Sequence, residues 1–250
     1  IAKEVLIYET QPEGKWNLID QFKIDEKIED SEHRQGDLMG IMGENLVYRK
    51  RNDQTGYLEL VSFNSKTKKT EVVASLPNQD ILYPISDLRS NKIIGYAADG
   101  DYIREKFFDN NLQQQYDKLS KKIGDYNFAI DSYSKLTDTA IVRISGVDNP
   151  LSFALYDFKK DELKSLGDAY HNIATRNLSY SAVANYAARD GKMIHAYILL
   201  PNDYDKSKKH PLIVLPHGGP QARDRAEYSD LDQFLSTRGY IVIKPNFRGS

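Results

Sequence analysis

Short apolar runs alternate with polar, turn-rich segments over the first two-thirds of the chain, and the runs recur at a regular spacing. Three of them lie 47 and 48 residues apart: Asn45-Leu-Val-Tyr48, Lys92-Ile-Ile-Gly-Tyr96 and Ala140-Ile-Val-Arg143. A weaker match, Val5-Leu-Ile-Tyr8, lies 40 residues before the first of these. Short strands at a spacing of about 40–50 residues are typical of the blades of a β-propeller.

Two stretches that resemble hairpins support the same repeat. Each has an apolar strand, a polar turn and a second strand, and they cover residues 57–73 and 152–166. Phe63 and Phe158 lie 95 residues apart, which is two periods of about 47. The repeat predicts about four blades, as part of a propeller, within residues 1–167. An irregular β-sandwich with accidental periodicity is the alternative.

A helical insertion is predicted near residues 104–123. Its apolar residues recur at steps of four, four, three and four, as on one face of a helix: Phe108, Leu112, Tyr116, Leu119 and Ile123. Gly124 follows as a stop signal. We expect an amphipathic helix inserted between strands of the propeller, with its apolar face used for packing.

The pattern changes after Gly167. Residues 168–178 are polar and contain no strong apolar run, so they predict a linker. Residues 180–189 and 192–200 then have the pattern of two strands, and Asp190-Gly191 lies between them as a tight turn.

The last segment predicts a strand, a helix and a second strand. The strands are the continuous apolar runs Leu212-Ile-Val-Leu215 and Tyr240-Ile-Val-Ile-Lys244, and the helix covers residues 231–238. This order indicates an α/β unit with a right-handed crossover, whose strands are expected to be covered on both faces. In such sheets, ligands bind at the carboxyl ends of the strands.

Composition and charge narrow the classes of function. The chain has 40 % apolar and 28 % charged residues and a formal net charge of −2, which give no electrostatic case for nucleic acid or anionic lipid. It has no cysteine and no apolar run long enough to cross a bilayer. It contains no Walker, dinucleotide, HExxH or EF-hand pattern, so we expect no metal and no cofactor.

Three motifs follow the two apolar strands: His217-Gly218-Gly219-Pro220 and the pair Arg223-Asp224 after the first strand, and Asn246-Phe-Arg-Gly-Ser250 after the second. With these motifs, the chain from Tyr180 onward resembles the start of the catalytic domain of the prolyl oligopeptidase family of serine peptidases. Within the family, the resemblance favours the acylaminoacyl-peptidase-like branch. It implies a fold that is mainly β plus α/β: partial β-propeller blades, then the N-terminal part of an α/β-hydrolase domain over residues 179–250.

The glycine pair has a chemical reason in this family. A serine that attacks an amide carbonyl builds negative charge on the oxygen, and preorganised N–H groups stabilise that charge. Glycine allows the backbone to approach a substrate closely. By resemblance, the backbone N–H of Gly219 is the first candidate for an oxyanion donor, and that of Gly218 is the second.

Residues around the glycine pair have supporting roles by resemblance. The hydrolase triad runs Ser, then Asp or Glu, then His, so His217 comes too early to be the base and is expected to hold the loop by hydrogen bonding. Arg223 and Asp224 are expected to pair and brace the loop, or to form a plain surface ion pair. Arg248 is expected to support the site, with Gly249 making a tight turn.

The family's nucleophile, acid and base are not found in this chain. No Gly-x-Ser-x-Gly occurs in it, and Ser250 is not a candidate nucleophile. The other histidines lie in contexts without a paired Ser and Asp: His33, His171, His195 and His210. We therefore expect a fragment that is inactive alone, from a parent serine peptidase that hydrolyses oligopeptides through an acyl-enzyme.

Two other functions stay open at this point. One is an esterase or another α/β-hydrolase with the same loop, although the blade repeat argues against it. The other is a non-catalytic propeller that binds a protein or a peptide. The expected partner is an oligopeptide substrate, with no nucleic acid and no membrane, and the sequence leaves open both a homo-oligomer and the choice between exopeptidase and endopeptidase.

The compartment is not determined by the sequence. The chain begins with Ile1 and shows no basic-then-apolar leader, so we expect that an upstream segment was removed. A cytoplasmic location is favoured, and export to the periplasm is the alternative if that segment was a signal.

Overall fold

Antiparallel sheets occupy most of the described chain. The computed structural model describes residues 3–10, 14–24, 38–64, 66–87, 90, 92–134, 136–173, 177–219 and 222–248. Within these residues there are five sheets, of which four are wholly antiparallel. The chain divides into two compact units, residues 1–100 with 104–113 and residues 101–103 with 114–250.

The first unit contains three sheets whose strands are paired in chain order. A two-stranded sheet comes first: β1 (Lys3–Thr10) and β2 (Trp16–Ile24). A four-stranded sheet follows: β3 (Leu38–Met42), β4 (Asn45–Arg51), β5 (Leu58–Asn64) and β6 (Lys69–Ala74). The third sheet has three strands: β7 (Ile81–Ser86), β8 (Ile93–Ala98) and β9 (Arg104–Phe107).

Two of these sheets share one hydrophobic core. Val47 and Leu60 come from the four-stranded sheet and Ile81 and Ile93 from the three-stranded sheet, and all four are buried in one cluster. Stacked blades require this arrangement, because a single twisted sheet cannot bury both of its faces alone. Gly95 allows β8 and β9 to pair, since a Cβ there would lie 2.1 Å from the carbonyl oxygen of Lys106.

The second unit begins with another four-stranded antiparallel sheet. Its strands are β10 (Asn127–Ser134), β11 (Thr139–Gly146), β12 (Asn149–Asp157) and β13 (Glu162–Asp168). The two central strands, β11 and β12, carry most of the buried side chains: Ala140, Val142, Ala154 and Tyr156. β13 is an edge strand and is mostly exposed.

The predicted repeat corresponds to one strand position in successive sheets. The apolar runs at residues 45–48, 92–96 and 140–143 lie in β4, β8 and β11, apart from the first residue of the second run. Each of these is the second strand of its sheet. The prediction of blade-like antiparallel sheets is therefore confirmed, with two sheets of four strands, one of three and one of two in the described residues.

Three hairpin turns share a local signature. Lys68, Asp138 and Asp161 are the non-glycine residues with positive φ in the described chain, at 58°, 56° and 55°. Each comes five residues after an aromatic residue and immediately before the next strand. The hydroxyl of Tyr133 donates to Asp138 at 2.7 Å, and that of Tyr156 donates to Asp161 at 2.5 Å.

This signature corrects the alignment of the two predicted hairpins. Phe63 is the penultimate residue of β5, and Tyr156 is the penultimate residue of β12. The structural equivalent of Phe63 is therefore Tyr156, two residues before the predicted Phe158. Phe158 instead packs edge-on against Tyr156, with ring centroids 4.7 Å apart.

The predicted helix is shorter than the apolar stripe suggested. Helix α1 (Asn110–Ile123) begins after β9, so the prediction is wrong over Arg104–Phe107, which is a strand. Asp109 fixes the start, because its carboxylate accepts from the amides of Asn111 and Leu112. Tyr116, Leu119 and Ile123 are buried as expected, whereas Phe108 and Leu112 are exposed.

The C-terminal sheet is mixed. It contains β14 (Ser181–Ala187), β15 (Met193–Leu199), β16 (Leu212–Val214) and β17 (Ile241–Asn246), in the order β14-β15-β17-β16. Helix α2 (Asp230–Ser236) lies between β16 and β17 in the chain, and these two strands are parallel. The predicted strand–helix–strand unit is therefore present.

The surroundings of this sheet differ from the prediction. β16 lies at the edge of the described sheet, and its Leu212 and Val214 are 58 % and 59 % exposed, so the residues described here do not cover both faces of this strand. Helix α2 buries the polar Asp232, Gln233 and Ser236 and leaves Leu231 and Phe234 about half exposed. Asp168, predicted as the first residue of the linker, is the last residue of β13, and residues 174–176 of that linker lie outside the described residues.

Candidate functional site

The loop between β16 and α2 carries the glycine pair and returns to β17 at both of its ends. The amide of Leu215 donates to the carbonyl oxygen of Ile243 at 2.8 Å, which extends the parallel pairing. Farther along, the amide of Asp224 donates to Oδ1 of Asn246 at 2.8 Å, and Nδ2 of Asn246 donates to the carbonyl oxygen of Asp224 at 3.1 Å. The loop therefore lies at the carboxyl end of two parallel strands, where α/β sheets bind ligands.

The glycine pair lies in open space within this chain. Gly219 has a φ of 62°, a conformation that other residues adopt only with strain, and its carbonyl accepts from the amide of Ala222 at 3.2 Å. A Cβ on either Gly218 or Gly219 would have no atom within 4 Å. Neither amide donates a hydrogen bond to any residue that the structure describes. Pro220 of the motif lies outside the described residues.

His217 is held by stacking on Phe247 and also makes a hydrogen bond within the loop. Its ring lies parallel to that of Phe247, with centroids 4.2 Å apart and an interplanar angle of 17°. Nδ1 lies 3.3 Å from the carbonyl oxygen of the adjacent Gly218. Nε2 is buried and has no partner among the described residues. Phe247 follows β17, so the stacked rings attach the start of the loop to that strand.

Asp224 forms a buried ion pair with a lysine of β17. Its carboxylate lies 3.0 Å from Nζ of Lys244, and the same ammonium lies 2.9 Å from Asp232 on α2. All three side chains are at least four-fifths buried. Burial disfavours the charged ammonium, but the hydrogen bonds to Asp232 and Asp224 outweigh that penalty and hold the pKa of Lys244 above its usual value. The alternative expectation, a plain surface pair, does not fit the burial of Asp224.

Arg223 belongs to a second polar cluster, on β14, β15 and the segment 101–103. Its guanidinium acts on the hydroxyl of Tyr197 and opposes the rise in the pKa of that group. Tyr197 in turn donates to Oδ1 of Asp101 at 2.6 Å, and Nε2 of His195 lies 2.8 Å from the same oxygen. Burial raises the pKa of Tyr197, and the Asp101 carboxylate raises it further.

His195 was expected to have no paired Ser and Asp, but the structure pairs it with Asp101. Its other ring nitrogen, Nδ1, lies 3.0 Å from Oδ1 of Asn185 on β14. Both ring nitrogens thus already have partners, and no serine hydroxyl contacts the ring within the described part of the chain. This cluster joins parts of the second unit and has no nucleophile.

Arg248 lies two residues after β17 and contacts the turn between β14 and β15. Its guanidinium pairs with the carboxylate of Asp190, in the turn between β14 and β15. That turn has three residues with Gly191 at a φ of 81°, rather than the two-residue form expected for Asp-Gly. Gly249 and Ser250, the end of the motif, lie outside the described residues.

Three residues that contact the loop have no predicted role: Lys244, Asn246 and Phe247. The signal for Asn246 was available, because it follows an apolar strand at the same sheet edge as the glycine pair. Across the described segments, no group of three or more His, Asp or Glu side chains has the arrangement of a metal site. In the same segments, neither helix is long and apolar enough to span a bilayer.

Comparisons with known proteins give relatives among peptidases. No family model matches the chain. The chain is 30 % identical over 199 residues to dipeptidyl aminopeptidase BIII of Pseudoxanthomonas mexicana, over 76 % of this chain and 28 % of that protein. It is 31 % identical over 156 residues to dipeptidyl peptidase family member 6 of Caenorhabditis elegans, over 54 % of this chain and 21 % of that protein.

A solved structure supports the architecture. Dipeptidyl peptidase 4 of Porphyromonas gingivalis matches 98 % of this chain with a TM-score of 0.64 and 17 % sequence identity. The chain is related to the serine peptidases of the prolyl oligopeptidase and dipeptidyl peptidase family, and its antiparallel sheets match their propeller region. It spans 28 % of the length of dipeptidyl aminopeptidase BIII and 35 % of the matched solved structure.

Proposed function

We propose that this chain is part of a serine peptidase of the prolyl oligopeptidase type, which hydrolyses peptide bonds of oligopeptides through an acyl-enzyme. In this proposal, residues 179–250 begin an α/β-hydrolase domain. The parallel β16 and β17 joined through α2 support that assignment, since this is the connection on which such domains are built. The relatives named as dipeptidyl peptidases support the peptidase assignment.

One observation carries the proposal: the Gly218 and Gly219 amides lie at the carboxyl end of a parallel strand and donate to no described residue. Attack on a peptide carbonyl places negative charge on its oxygen, and an amide held in advance stabilises that charge without reorganising. We assign this role first to Gly219 and second to Gly218. In α/β-hydrolases the second donor follows the nucleophile, which the whole protein would supply.

The substrate class follows from the relatives rather than from a pocket. A relative that matches 76 % of this chain is named a dipeptidyl aminopeptidase. We therefore propose release of dipeptides from free amino termini as the first activity to test, ahead of cleavage after N-acylated residues. By their bulk, the blade-like sheets would exclude larger substrates and admit only short peptides.

The experiment uses the whole protein that contains this chain. A fluorophosphonate probe labels serines that are activated for attack, and we expect labelling that is lost after heat denaturation. We expect hydrolysis of dipeptidyl p-nitroanilides with a free amino terminus, and slower hydrolysis of N-acetylated aminoacyl p-nitroanilides. A native protein that hydrolyses only p-nitrophenyl esters would indicate an esterase, and absence of both labelling and hydrolysis would refute a hydrolase.

A pair of glycine substitutions separates the role of the loop from its stability. Gly219→Ala introduces strain at a φ of 62°, and Gly239→Ala introduces comparable strain at a φ of 91°, just after α2. Both should lower the unfolding temperature. Because only Gly219 is assigned to the oxyanion, kcat/KM per folded molecule should fall by about tenfold or more in Gly219→Ala alone. Alanine keeps the backbone N–H, so the expected loss comes from displacement of that amide, and equal activity in the two variants would contradict the assignment of Gly219.

A further inference from the structure

Among the described residues, the glycine pair makes contacts within its own loop: the carbonyl oxygen of Gly218 lies 3.3 Å from Nδ1 of His217, and that of Gly219 accepts from the amide of Ala222 at 3.2 Å. Neither amide donates to a described residue, and the space around both Cβ positions is empty. The location of these amides therefore depends on how the two ends of the loop are held. An oxyanion donor has to be held within a few tenths of an ångström of its place, so the residues that hold the ends bear on the rate.

Both ends are held by consecutive residues at the end of β17. At the start of the loop, Phe247 stacks on His217, with ring centroids 4.2 Å apart. At its far end, the amide side chain of Asn246 binds the main chain of Asp224 in both directions, accepting from the N–H at 2.8 Å and donating to the carbonyl oxygen at 3.1 Å. The Lys244 ammonium reinforces that end through the Asp224 carboxylate.

We propose that Asn246 and Phe247 are positioning residues that hold the Gly218 and Gly219 amides in place for transition-state binding. This inference rests on the proposed function. Neither side chain is assigned a contact with substrate. Their effect passes through Asp224 and His217, so it should appear in kcat rather than in KM.

The chain contains a matched control for Asn246. Gln233 on α2 uses the same amide geometry on the main chain of Ser179, accepting from its N–H at 2.8 Å and donating to its carbonyl oxygen at 2.9 Å. Ser179 precedes β14 and lies outside the glycine loop. Nε2 of Gln233 also donates to the carbonyl oxygen of Val147 at 2.8 Å, so Gln233→Ala removes the same pair of hydrogen bonds and one more, without touching either end of that loop.

The test compares variants of the whole protein. We expect Asn246→Ala to lower kcat by about tenfold to a hundredfold with KM changed by no more than about twofold. Asn246→Asp keeps the acceptor for the Asp224 N–H and loses the donor, so its loss should be intermediate. Phe247→Tyr keeps the stacked ring and should retain activity, whereas Phe247→Ala should lose it. Gln233→Ala should lower the unfolding temperature and leave kcat unchanged.

Binding of a peptide boronate, which mimics the tetrahedral intermediate, gives a second readout. Its inhibition constant should rise in Asn246→Ala in proportion to the loss of kcat/KM, while the affinity for a product dipeptide stays constant. Wild-type kcat and boronate affinity in Asn246→Ala would overturn this inference alone. A wild-type protein without serine labelling or hydrolysis would overturn the proposed function and this inference with it.

Discussion

The hairpin turns of the antiparallel sheets and the loop after β16 are held in different ways. At the turns, the stabilising contact is local: the hydroxyl of Tyr156 binds Asp161, five residues later in the chain. At the loop, the contacts are distant: Asp224 is bound by Asn246, 22 residues later. The turns therefore carry their own stability, whereas the loop takes its conformation from β17.

This difference determines how far a substitution acts. A change at a hairpin turn should lower the stability of its own sheet and leave the rest of the unit unchanged. A change at the end of β17 should reach the glycine pair, whose other described contacts lie within its own loop. The blade-like part is thus tolerant at its turns, and the candidate site is sensitive to residues that would not touch the substrate.

The largest expected effect is a loss of stability on removal of the buried Lys244 ammonium. Lys244→Met leaves the Asp224 and Asp232 carboxylates buried near each other without their cation, so we expect a loss of roughly 3–5 kcal/mol in the free energy of unfolding. Lys66→Met removes an exposed partner of Glu44 at a similar distance of 2.9 Å and should cost less than about 1 kcal/mol. Denaturant unfolding of both variants measures the contrast, and equal losses would contradict it.

A second effect concerns pH in the blade-like part. Burial raises the pKa of Glu105 on β9 to about 7, from 4.5 in the unfolded chain. The folded state therefore binds this proton more tightly than the unfolded chain does. The contribution of Glu105 to the free energy of unfolding is highest below about pH 4.5 and falls as the pH rises towards 7. Glu105→Gln should remove this decline between pH 5 and 8 in thermal unfolding, while Glu71→Gln, at an exposed position, should not. A wild-type unfolding temperature that rises over that interval and is unaffected by Glu105→Gln would contradict this.

The local turn contact should have a moderate effect. Tyr156 is almost fully buried, and Tyr156→Phe removes the hydroxyl that binds Asp161, so we expect a loss of about 1 kcal/mol. The equivalent change Tyr133→Phe, at an exposed residue, should cost less. Denaturant unfolding gives both values. A change in kcat for either variant would show that the turns are coupled to the site and would contradict their independence.

The smallest expected effect is a gain in stability. Lys68 has a φ of 58°, which glycine adopts without steric cost, so Lys68→Gly should stabilise the protein by up to about 1 kcal/mol. Asp161→Gly relieves the same strain at 55° but loses the bond to Tyr156 and the ion pair with Lys122, so it should give no gain. Thermal unfolding of the two variants would show whether these side-chain contacts outweigh the backbone strain. A gain in both variants would mean that they do not.

The blade-like sheets could be predicted from the sequence because their signals are local and periodic. The runs at residues 45–48, 92–96 and 140–143 repeat as second strands of successive sheets, and β-strand alternation and turn residues lie close together in the chain. The start of α1 was missed for an equally local reason. The apolar stripe includes Phe108, which precedes the helix, whereas the capping Asp109 gives the actual boundary.

The candidate site could be predicted only in part. The glycine pair follows an apolar strand, and that order alone placed it at a strand end. The partner of Asp224 could not be read from its neighbour Arg223, because the parallel pairing of β16 with β17 brings Lys244 and Asn246 to it instead. Likewise, the stacking of Phe247 on His217 joins residues 30 positions apart that no local pattern connects.

A structure of the whole protein with a bound peptide boronate tests the central assignment most directly. The account predicts that the tetrahedral adduct places one oxygen about 2.7–3.1 Å from the amide nitrogen of Gly219 or Gly218. An adduct whose oxygens all lie beyond hydrogen-bonding distance of both amides would contradict it.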